Sequence, residues 1–563
     1  MSDGFNRQLV PGGRVIARAL GAQGVEVVHT SRGSRIGGLH EGCVDEGIEV
    51  VHLHNEQAAT HAADAHARIT GTTGCAAVTA GPGTVAALPG VATASRAQSP
   101  LLLLGVQGAL TGDGRGTRQD LTRIGMPASF TKYAASVVDT AHAVQEVSTA
   151  LRACHHGEPG PSYLEIPLHV LDAVSASAAP HVSQDELHRT PTRPAAGPGT
   201  VQRLADLLVH AERPAILLGR QVWTTRATDA AVTLVRSLNI PAYTDGAARG
   251  TLPPGDPHHF RLSRLYALAN ADVIVVVGDA PFFDAPRGRG ERPGPQATVV
   301  RIEHAPRIVG AHQDVGPTIA GDAGEVLASV AQAASGRTGD GAYRRKEWLD
   351  ELRAAERTAY ERRLPQLRSD ARPIHPYRLL HEIDDFLTED SLCITDGGGI
   401  ALCSEQIVQP RSPGHWLDPG PSGTPGVGIP FVLAAKRARP DKEVVALFGD
   451  GALSVTGWDF ETLVRLDLPF IGVVADNSAA NPPPRAERAG RDGEPAGAGA
   501  PLTGLPYDTF ARMLGGYGEA VRDPADIGPA LRRARASGKP SLLDVRIDPH
   551  AYAPGIPNQT VDK

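Results

Sequence analysis

This sequence lacks the features that would assign it to a membrane, a nucleic acid or an oxidising compartment. No apolar stretch approaches the roughly 20 residues that a membrane-spanning helix needs, so no span is expected. Cysteine is sparse, with five residues at positions 43, 75, 154, 393 and 403. The odd count argues against a disulfide framework, and no spacing among them suits a metal site. A reducing cytoplasm is the expected setting, and Met1-Ser2-Asp3-Gly4 shows no charged-then-apolar leader pattern. The net charge of −7 leaves no basic footprint for nucleic acid. Lysine is scarce too, six residues against 49 arginines. Beside abundant Ala, Gly and Pro, that ratio reflects a GC-rich genome and carries no chemistry. No repeated sequence links the two ends of the chain.

What is present is ample apolar material. The 563 residues are 41% hydrophobic, which suits three α/β domains of ordinary size. Two segments nearly 400 residues apart carry the chemical information. The first begins with residues 444–448, a short apolar, β-branched run that predicts a buried parallel strand. Gly449-Asp450-Gly451 is expected to end it in a tight turn. Residues 459–466 carry a crude helical face through Phe460, Leu463, Val464 and Leu466. After Leu468-Pro469, residues 470–475 predict the next strand, closed by Asp476-Asn477. Such a βαβ unit puts Asp450 and Asn477 at the carboxyl ends of two parallel strands, where ligands bind in open α/β sheets. A carboxylate, an amide oxygen and a nearby main-chain carbonyl make a hard oxygen shell, suited to Mg²⁺ that also holds phosphate oxygens. The glycines allow backbone N–H groups to approach a diphosphate. Alone, Gly-Asp-Gly is as readily an ordinary turn.

The second segment starts with a strand over residues 48–53, followed by His54-Asn55-Glu56 and an Ala-rich helix over 58–69. Residues 75–79 predict another strand, and Gly81-Pro82-Gly83 turns into the helix after it. Glu56 stands where strand becomes helix. It could cap the helix dipole, or it could bond N1′ of an aminopyrimidine, as thiamine diphosphate (ThDP) chemistry requires. That bond favours the imino tautomer, whose nitrogen takes the C2 proton of the thiazolium. ThDP joins this chemistry to that of the first segment, and the company of the other motifs favours catalysis over capping.

Residues 416–477 resemble the cofactor domain of the acetohydroxyacid (acetolactate) synthase-like ThDP enzymes, whose signature is GDG, about 26 residues, then N or NN. Asp476-Asn477 stands where many relatives have Asn-Asn. The resemblance implies that Asp450, the Asn477 side chain and the Ala479 carbonyl hold Mg²⁺, with Gly449, Gly451 and Ala452 beside the cofactor. Asp396-Gly397-Gly398-Gly399 resembles the second diphosphate-binding turn, implying contacts from Gly398 and Gly399. Trp416-Leu417-Asp418-Pro419-Gly420-Pro421 is close to the family's WLDPGP. The N-terminal segment resembles the pyrimidine-binding domain with its (R)HEQAA and T(A/S)GPG motifs, which brings Glu56, Thr79 and Gly81 to the cofactor. Gln119, in Gly116-Thr117-Arg118-Gln119-Asp120, matches a family Gln on the thiazolium side and is the second catalytic candidate. Ser31-Arg32-Gly33-Ser34 falls where relatives place a substrate-facing loop.

Several positions depart from the pattern. Pro425 replaces the large apolar residue that props the two cofactor rings into a V. Asn55 replaces the usual His before the Glu, with His54 one place earlier. Ser478-Ala479-Ala480-Asn481-Pro482-Pro483-Pro484 replaces an aromatic-bearing closing stretch. In true acetohydroxyacid synthases the middle segment binds FAD, and residues 278–284 resemble the family's G-x-P-F-D-F. Gly219-Arg220-Gln221, however, lacks one glycine of a Gly-x-Gly turn, which favours a structural middle segment over an FAD site.

The expected fold is α/β, with three doubly wound parallel-sheet domains of the ThDP-enzyme type. These are a pyrimidine-binding domain over 8–172, a middle domain over 196–335 and a diphosphate/Mg-binding domain over 374–550. A linker spans 173–195 and a helical connector 343–367. The expected activity is a carboligase that decarboxylates a 2-oxo acid and transfers the acyl carbanion to a second carbonyl, acetolactate synthase-like acyloin formation. Simple 2-oxo acid decarboxylation and 2-hydroxyacyl-CoA cleavage remain as alternatives, as does a non-catalytic paralogue that binds a partner. The resemblance also implies that Glu56 and Asp450 meet across a subunit interface in a homodimer or homotetramer, with small-molecule donor and acceptor.

Overall fold

A computed structural model of the chain describes residues 10–33, 35–79, 81–108, 124–175, 193–278, 293–304, 317–337, 342–477, 504–549 and 551. Among these, Gln119, Ala479, Ser34, the 279–284 part of the middle-domain motif and the 478–484 stretch are not included. No helix among the described residues is long and apolar enough to cross a membrane.

Three parallel sheets carry the fold. The first comprises β1 (Val27–Ser31), β2 (Glu49–Leu53), β3 (Gly74–Val78), β4 (Leu101–Gln107), β5 (Tyr133–Ser136) and β6 (Ser162–Pro167), in the spatial order β2-β1-β3-β4-β6-β5. The second comprises β7 (Pro214–Leu218), β8 (Ala242–Thr244), β9 (Val273–Val277), β10 (Thr298–Glu303) and β11 (Thr318–Ala320), in the order β8-β7-β9-β10-β11. The third comprises β12 (Ser391–Asp396), β13 (Trp416–Leu417), β14 (Glu443–Gly449), β15 (Phe470–Asp476), β16 (Tyr517–Val521) and β17 (Pro540–Arg546), in the order β13-β12-β14-β15-β17-β16. Every neighbouring pair is parallel. The central strands are almost wholly apolar, as in Leu101–Gln107, where only the final Gln is polar, and Val273–Val277, and every residue of both is buried. Strands covered on both faces have no polar side to alternate with.

The chain divides into two compact units. One is residues 1–192, 419–440 and 455–466; the other is residues 193–418, 441–454 and 467–563. The first unit holds the first sheet with helices α1 (Gly12–Ala22), α2 (Gly37–Asp45), α3 (Glu56–Thr70) and α4 (Pro82–Ala97). Small residues let these helices approach closely. A Cβ on Gly90 would stand 2.5 Å from that of Thr60, so α3 and α4 cross at a glycine. Alanine-rich α3 buries ten residues of its 15, which is why a sequence with little apolar bulk there still forms a buried helix.

The second unit holds the other two sheets, the connector helix α5 (Ala342–Leu367) and helix α6 (Gly399–Ile407). The connector is helical as its charge pattern predicts. Helix α6 ends against two arginines contributed by the loop after β8, Arg249 buried and Arg261 partly so. Arg249 donates to the carbonyls of Glu405 (2.7 Å) and Val408 (2.6 Å), and its guanidinium lies 4.3 Å over the Trp416 ring. Arg261 donates to the carbonyls of Gln406 and Ile407, each at 3.2 Å. All five cysteines are buried thiols. Burial pushes Cys43 and Cys393 up to about 12 and Cys154 up to about 11.

The expected tight turn at Gly449-Asp450-Gly451 is replaced by a direct strand-to-helix passage. Strand β14 runs through Gly449, and Asp450 opens helix α7 (Asp450–Thr456). An acidic residue in a first helical turn is stabilised by the exposed amides there, and the Gly451 N–H donates to Asp450 Oδ1 at 2.7 Å. The helix expected over 459–466 is short, a 3₁₀ turn at Gly457–Asp459 followed by α8 (Phe460–Arg465).

The Glu405 carboxyl in this second unit is held protonated by burial and by the nearby charge of Asp418, which push it up to about 8 against the pull of Arg249 and Arg264; Asp245 adds to the rise. An unfolded glutamate releases its proton near ~4.3. The stability tied to this proton is therefore complete below that value and is lost as pH rises through about 8. Thermal unfolding followed from pH 6 to 9 should show a decline in Tm that is shallower in Glu405→Gln.

Candidate functional site

In the first unit, three chain crossings meet at Glu56. Strand β2 ends at Leu53, and Asn55 then takes an extended conformation and caps α3, its side chain accepting from the Ala58 N–H at 2.7 Å. Replacing the family's His by Asn thus supplies an N-cap, a role for which Asn is among the best residues. Glu56 follows as the first helical residue. Ser31, the last residue of β1, donates its hydroxyl to Glu56 Oε1 at 3.0 Å. Thr79 follows directly after β3. A Cβ on Gly83 would stand 2.7 Å from Thr79 Oγ1 and 3.3 Å from Glu56 Oε1, so only glycine leaves the carboxylate its room. Gly81, with φ +62° and ψ −103°, makes the turn into α4, a backbone that side chains rarely adopt.

Elsewhere the first unit holds a second set of polar contacts. Buried Asp459 accepts the His54 N–H at 2.8 Å and the Thr462 hydroxyl at 3.1 Å. Burial pushes this carboxyl up to about 6 despite those donors. The His54 ring is half exposed and bonds Glu461 Oε2 at 2.9 Å; it belongs to a surface hydrogen bond, while Glu56 is bonded by Ser31. Pro425 is exposed, between Gly423 (φ +61°) and Gly426 (φ +90°), and its carbonyl lies 3.5 Å from Gln57 Nε2.

In the second unit, the strand order of the third sheet reverses between β12 and β14, and the glycines sit there. Gly397 has φ +121°, and a Cβ on it would stand 3.0 Å from the Gly449 nitrogen. Gly399 and Gly451 have open space around the position a Cβ would take. Helix α6 starts at Gly399 with no side-chain cap and no acidic residue in its first turn among the described residues. Asp450, buried, follows β14, and Asn477 follows neighbouring β15, whose Ala475 is in register with Gly449. The preceding Asp476 is buried and paired with Arg546 at 2.9 Å. The Tyr507 hydroxyl donates to the Asp450 carbonyl at 3.2 Å. Ala452 is buried against this turn. Open glycines, uncapped helical amides, a carboxylate and an amide oxygen at adjacent strand ends are a donor set that fits a diphosphate with a hard cation. No cluster of three or more His, Cys, Asp or Glu that could hold a metal occurs among the described residues.

The chain matches three family descriptions of the thiamine pyrophosphate enzyme: the N-terminal TPP binding domain over residues 10–126, the central domain over 201–330 and the C-terminal TPP binding domain over 396–545. It is 33% identical over 555 residues to a protein called "Acetolactate synthase large subunit IlvG" from Mycobacterium tuberculosis, covering 97% of each chain. The chain belongs to the thiamine pyrophosphate enzyme family. It is also 32% identical over 501 residues to "2-hydroxyacyl-CoA lyase 2" from Homo sapiens, covering 83% of this chain and 78% of that one, and 33% identical to the bovine protein of the same name with the same coverage. A thiamine pyrophosphate enzyme thus has its cofactor family assigned by the whole length of the chain, while its relatives carry the names of two different activities.

Of the sequence-predicted site residues, the structure groups Glu56, Thr79 and Gly81 in the first unit, and Gly398, Gly399, Gly449, Asp450, Gly451, Ala452 and Asn477 in the second. Gln119 and Ala479 lie outside the described residues. Sequence reasoning missed the bond from Ser31 to Glu56, placing Ser31 only in a substrate-facing loop. It also missed Asp459, whose partner is 405 positions away, a pairing no local pattern can signal. Removing this acceptor takes a partner from the His54 N–H and from the buried Thr462 hydroxyl. Asp459→Ala should cost about 1–3 kcal/mol and Asp459→Asn under ~1 kcal/mol, measurable by denaturant unfolding.

Proposed function

We propose that this thiamine pyrophosphate enzyme is a carboligase, joining the acyl part of a 2-oxo acid, after loss of CO₂, to a second carbonyl. The observation that supports it most is Glu56, kept at the β2–α3 junction with its carboxylate oriented by Ser31 and spaced by Gly83. Bound thiamine diphosphate supplies a carbon nucleophile and an electron sink. Glu56 would hold a proton at N1′ of the aminopyrimidine. Asp450, the Asn477 side chain and the Ala479 carbonyl would hold Mg²⁺, and the amides at Gly398, Gly399 and Gly451 would meet the diphosphate. Retention of Glu56, Asp450 and Asn477 together speaks against a non-catalytic paralogue. We place the domain limits at 8–172, 196–335 and 374–550, and expect a homo-oligomer acting on small molecules.

The middle domain is proposed to be structural. Gly278 (φ +68°), at the end of β9, is closed off by Gln221, whose Cβ would lie 2.5 Å from a Cβ there, and Gln221 Oε1 accepts the His304 N–H at 3.1 Å. A side chain where a nucleotide phosphate would approach is a poor fit for FAD.

A second reading, cleavage of a 2-hydroxyacyl-CoA, is favoured by the near-equal identity to proteins named for that lyase activity. Incubation with a panel of 2-oxo acids and aldehydes should give acyloins by mass spectrometry. Products only from 2-hydroxyacyl-CoA would replace the carboligase reading. With the productive pair in hand, Glu56→Gln should lower turnover about 10²–10⁴-fold while thiamine diphosphate still binds, and hydrogen–deuterium exchange at the cofactor's C2 should slow with it. Exchange at the wild-type rate would make Glu56 a helix cap and nothing more.

Asp450→Ala should abolish most Mg²⁺-dependent binding of thiamine diphosphate, since the oxygen shell would lose its charged member. Calorimetric titration at limiting Mg²⁺ reads this directly; an unchanged affinity would remove Asp450 from the metal.

A further inference from the structure

The end of α6 opposite Gly399 presents a complete accounting of backbone acceptors. An α-helix leaves its last four carbonyls without intrahelical partners. In α6 the last internal bond runs from the Val408 N–H to the Ser404 carbonyl at 2.8 Å, which leaves the carbonyls of Glu405, Gln406, Ile407 and Val408. Arg249 takes the first and last of these, and Arg261 takes the two between. Two cations at the negative end of a helix also suit its macrodipole. Arg249 is held in turn by stacking on Trp416. The Arg261 segment is held by Glu356 of α5, which accepts from the N–H groups of Leu262 (3.0 Å) and Ser263 (2.8 Å). The helix is only nine residues long, so its two ends move together.

We infer that Arg249 and Arg261 are positioning residues for the diphosphate-binding turn. By fixing the carboxyl end of α6, they set where its uncapped amino-terminal amides at Gly398-Gly399 point. The middle domain, which supplies both arginines, thereby acts on cofactor affinity without touching the cofactor. This rests on the thiamine diphosphate reading of that turn. Partly buried carbonyls left without donors would draw the last turn of the helix out of register, and a site that must be reorganised before it binds loses affinity.

The test uses the full-length apo chain with Mg²⁺ and two probes, inorganic pyrophosphate and thiamine diphosphate, titrated calorimetrically. The variants are Arg261→Gln, Arg261→Lys and Arg249→Met. Affinity for both probes should weaken by roughly 3- to 30-fold in Arg261→Gln, the scale of helix-terminus charge effects. Arg261→Lys should recover part of it, and turnover at saturating cofactor should stay within about twofold. A merely structural role would lower the folded fraction and leave the affinity of the remainder as in wild type. If Arg249→Met does not fold, Arg261→Gln, which leaves two of the four carbonyls capped, carries the test. Wild-type affinity for both probes in a folded Arg261→Gln chain would overturn the inference and leave the cofactor reading standing. Failure of the wild-type chain to bind either probe would overturn both.

Discussion

A parallel sheet that reverses its strand order cannot close the gap between the two strands where it reverses, because successive connections leave in opposite directions. This chain has two such gaps of chemical interest. In the first sheet the reversal falls between β1 and β3, and their ends supply Ser31 and Thr79 around Glu56. In the third it falls between β12 and β14, and their ends supply Gly397 and Gly449, with Asp450 beyond. The polar residues of the proposed site are where topology leaves room for a ligand, and the largely apolar remainder of each sheet holds those edges still. The glycines follow from the same constraint: where two strand ends come within van der Waals distance, a side chain on either would fill the gap.

Much of this was legible in the sequence because strand ends are local. Apolar runs bounded by glycine placed β2, β3, β14 and β15 within a residue or two, and with them Glu56, Thr79, Asp450 and Asn477. The Gly449-Asp450 junction was misjudged since glycine pairs signal turns, whereas here the helix begins at once and its first amides stabilise Asp450. What stayed hidden was every interaction made across the chain. Ser31 reaches Glu56 over 25 positions, Asp459 reaches His54 over 405, and Arg249 reaches the end of α6 over 156. No periodicity or motif encodes such pairings; they exist once sheets have formed and helices have been laid against them.

The departures from the family pattern fall unevenly. Asn55 turns out to be a good local choice, a cap that leaves His54 to pair with Glu461. Pro425 is of another kind: it is exposed, between two glycines of positive φ. Cofactor chemistry tolerates little variation because it needs particular atoms at particular distances. Choice of substrate is a matter of shape, and shape is where a loop residue such as Pro425 can differ without cost to the fold. The relatives reflect this, sharing one cofactor family under two names of activity.

The burial of every thiol has a practical consequence. Cys43 and Cys75 lie in the first sheet's layers, Cys154 on the helix before β6, and Cys393 and Cys403 in β12 and α6. None is accessible to a reagent in the folded chain, and burial holds the thiols of Cys43, Cys75, Cys154 and Cys393 in the unreactive protonated form. Alkylation can then proceed only through transient openings, so the native molecule carries its own set of clocks. The rate at which each cysteine is blocked times the breathing of the element that hides it, and the pair in β12 and α6 would time the neighbourhood of the Gly397–Gly399 turn with no label added by design.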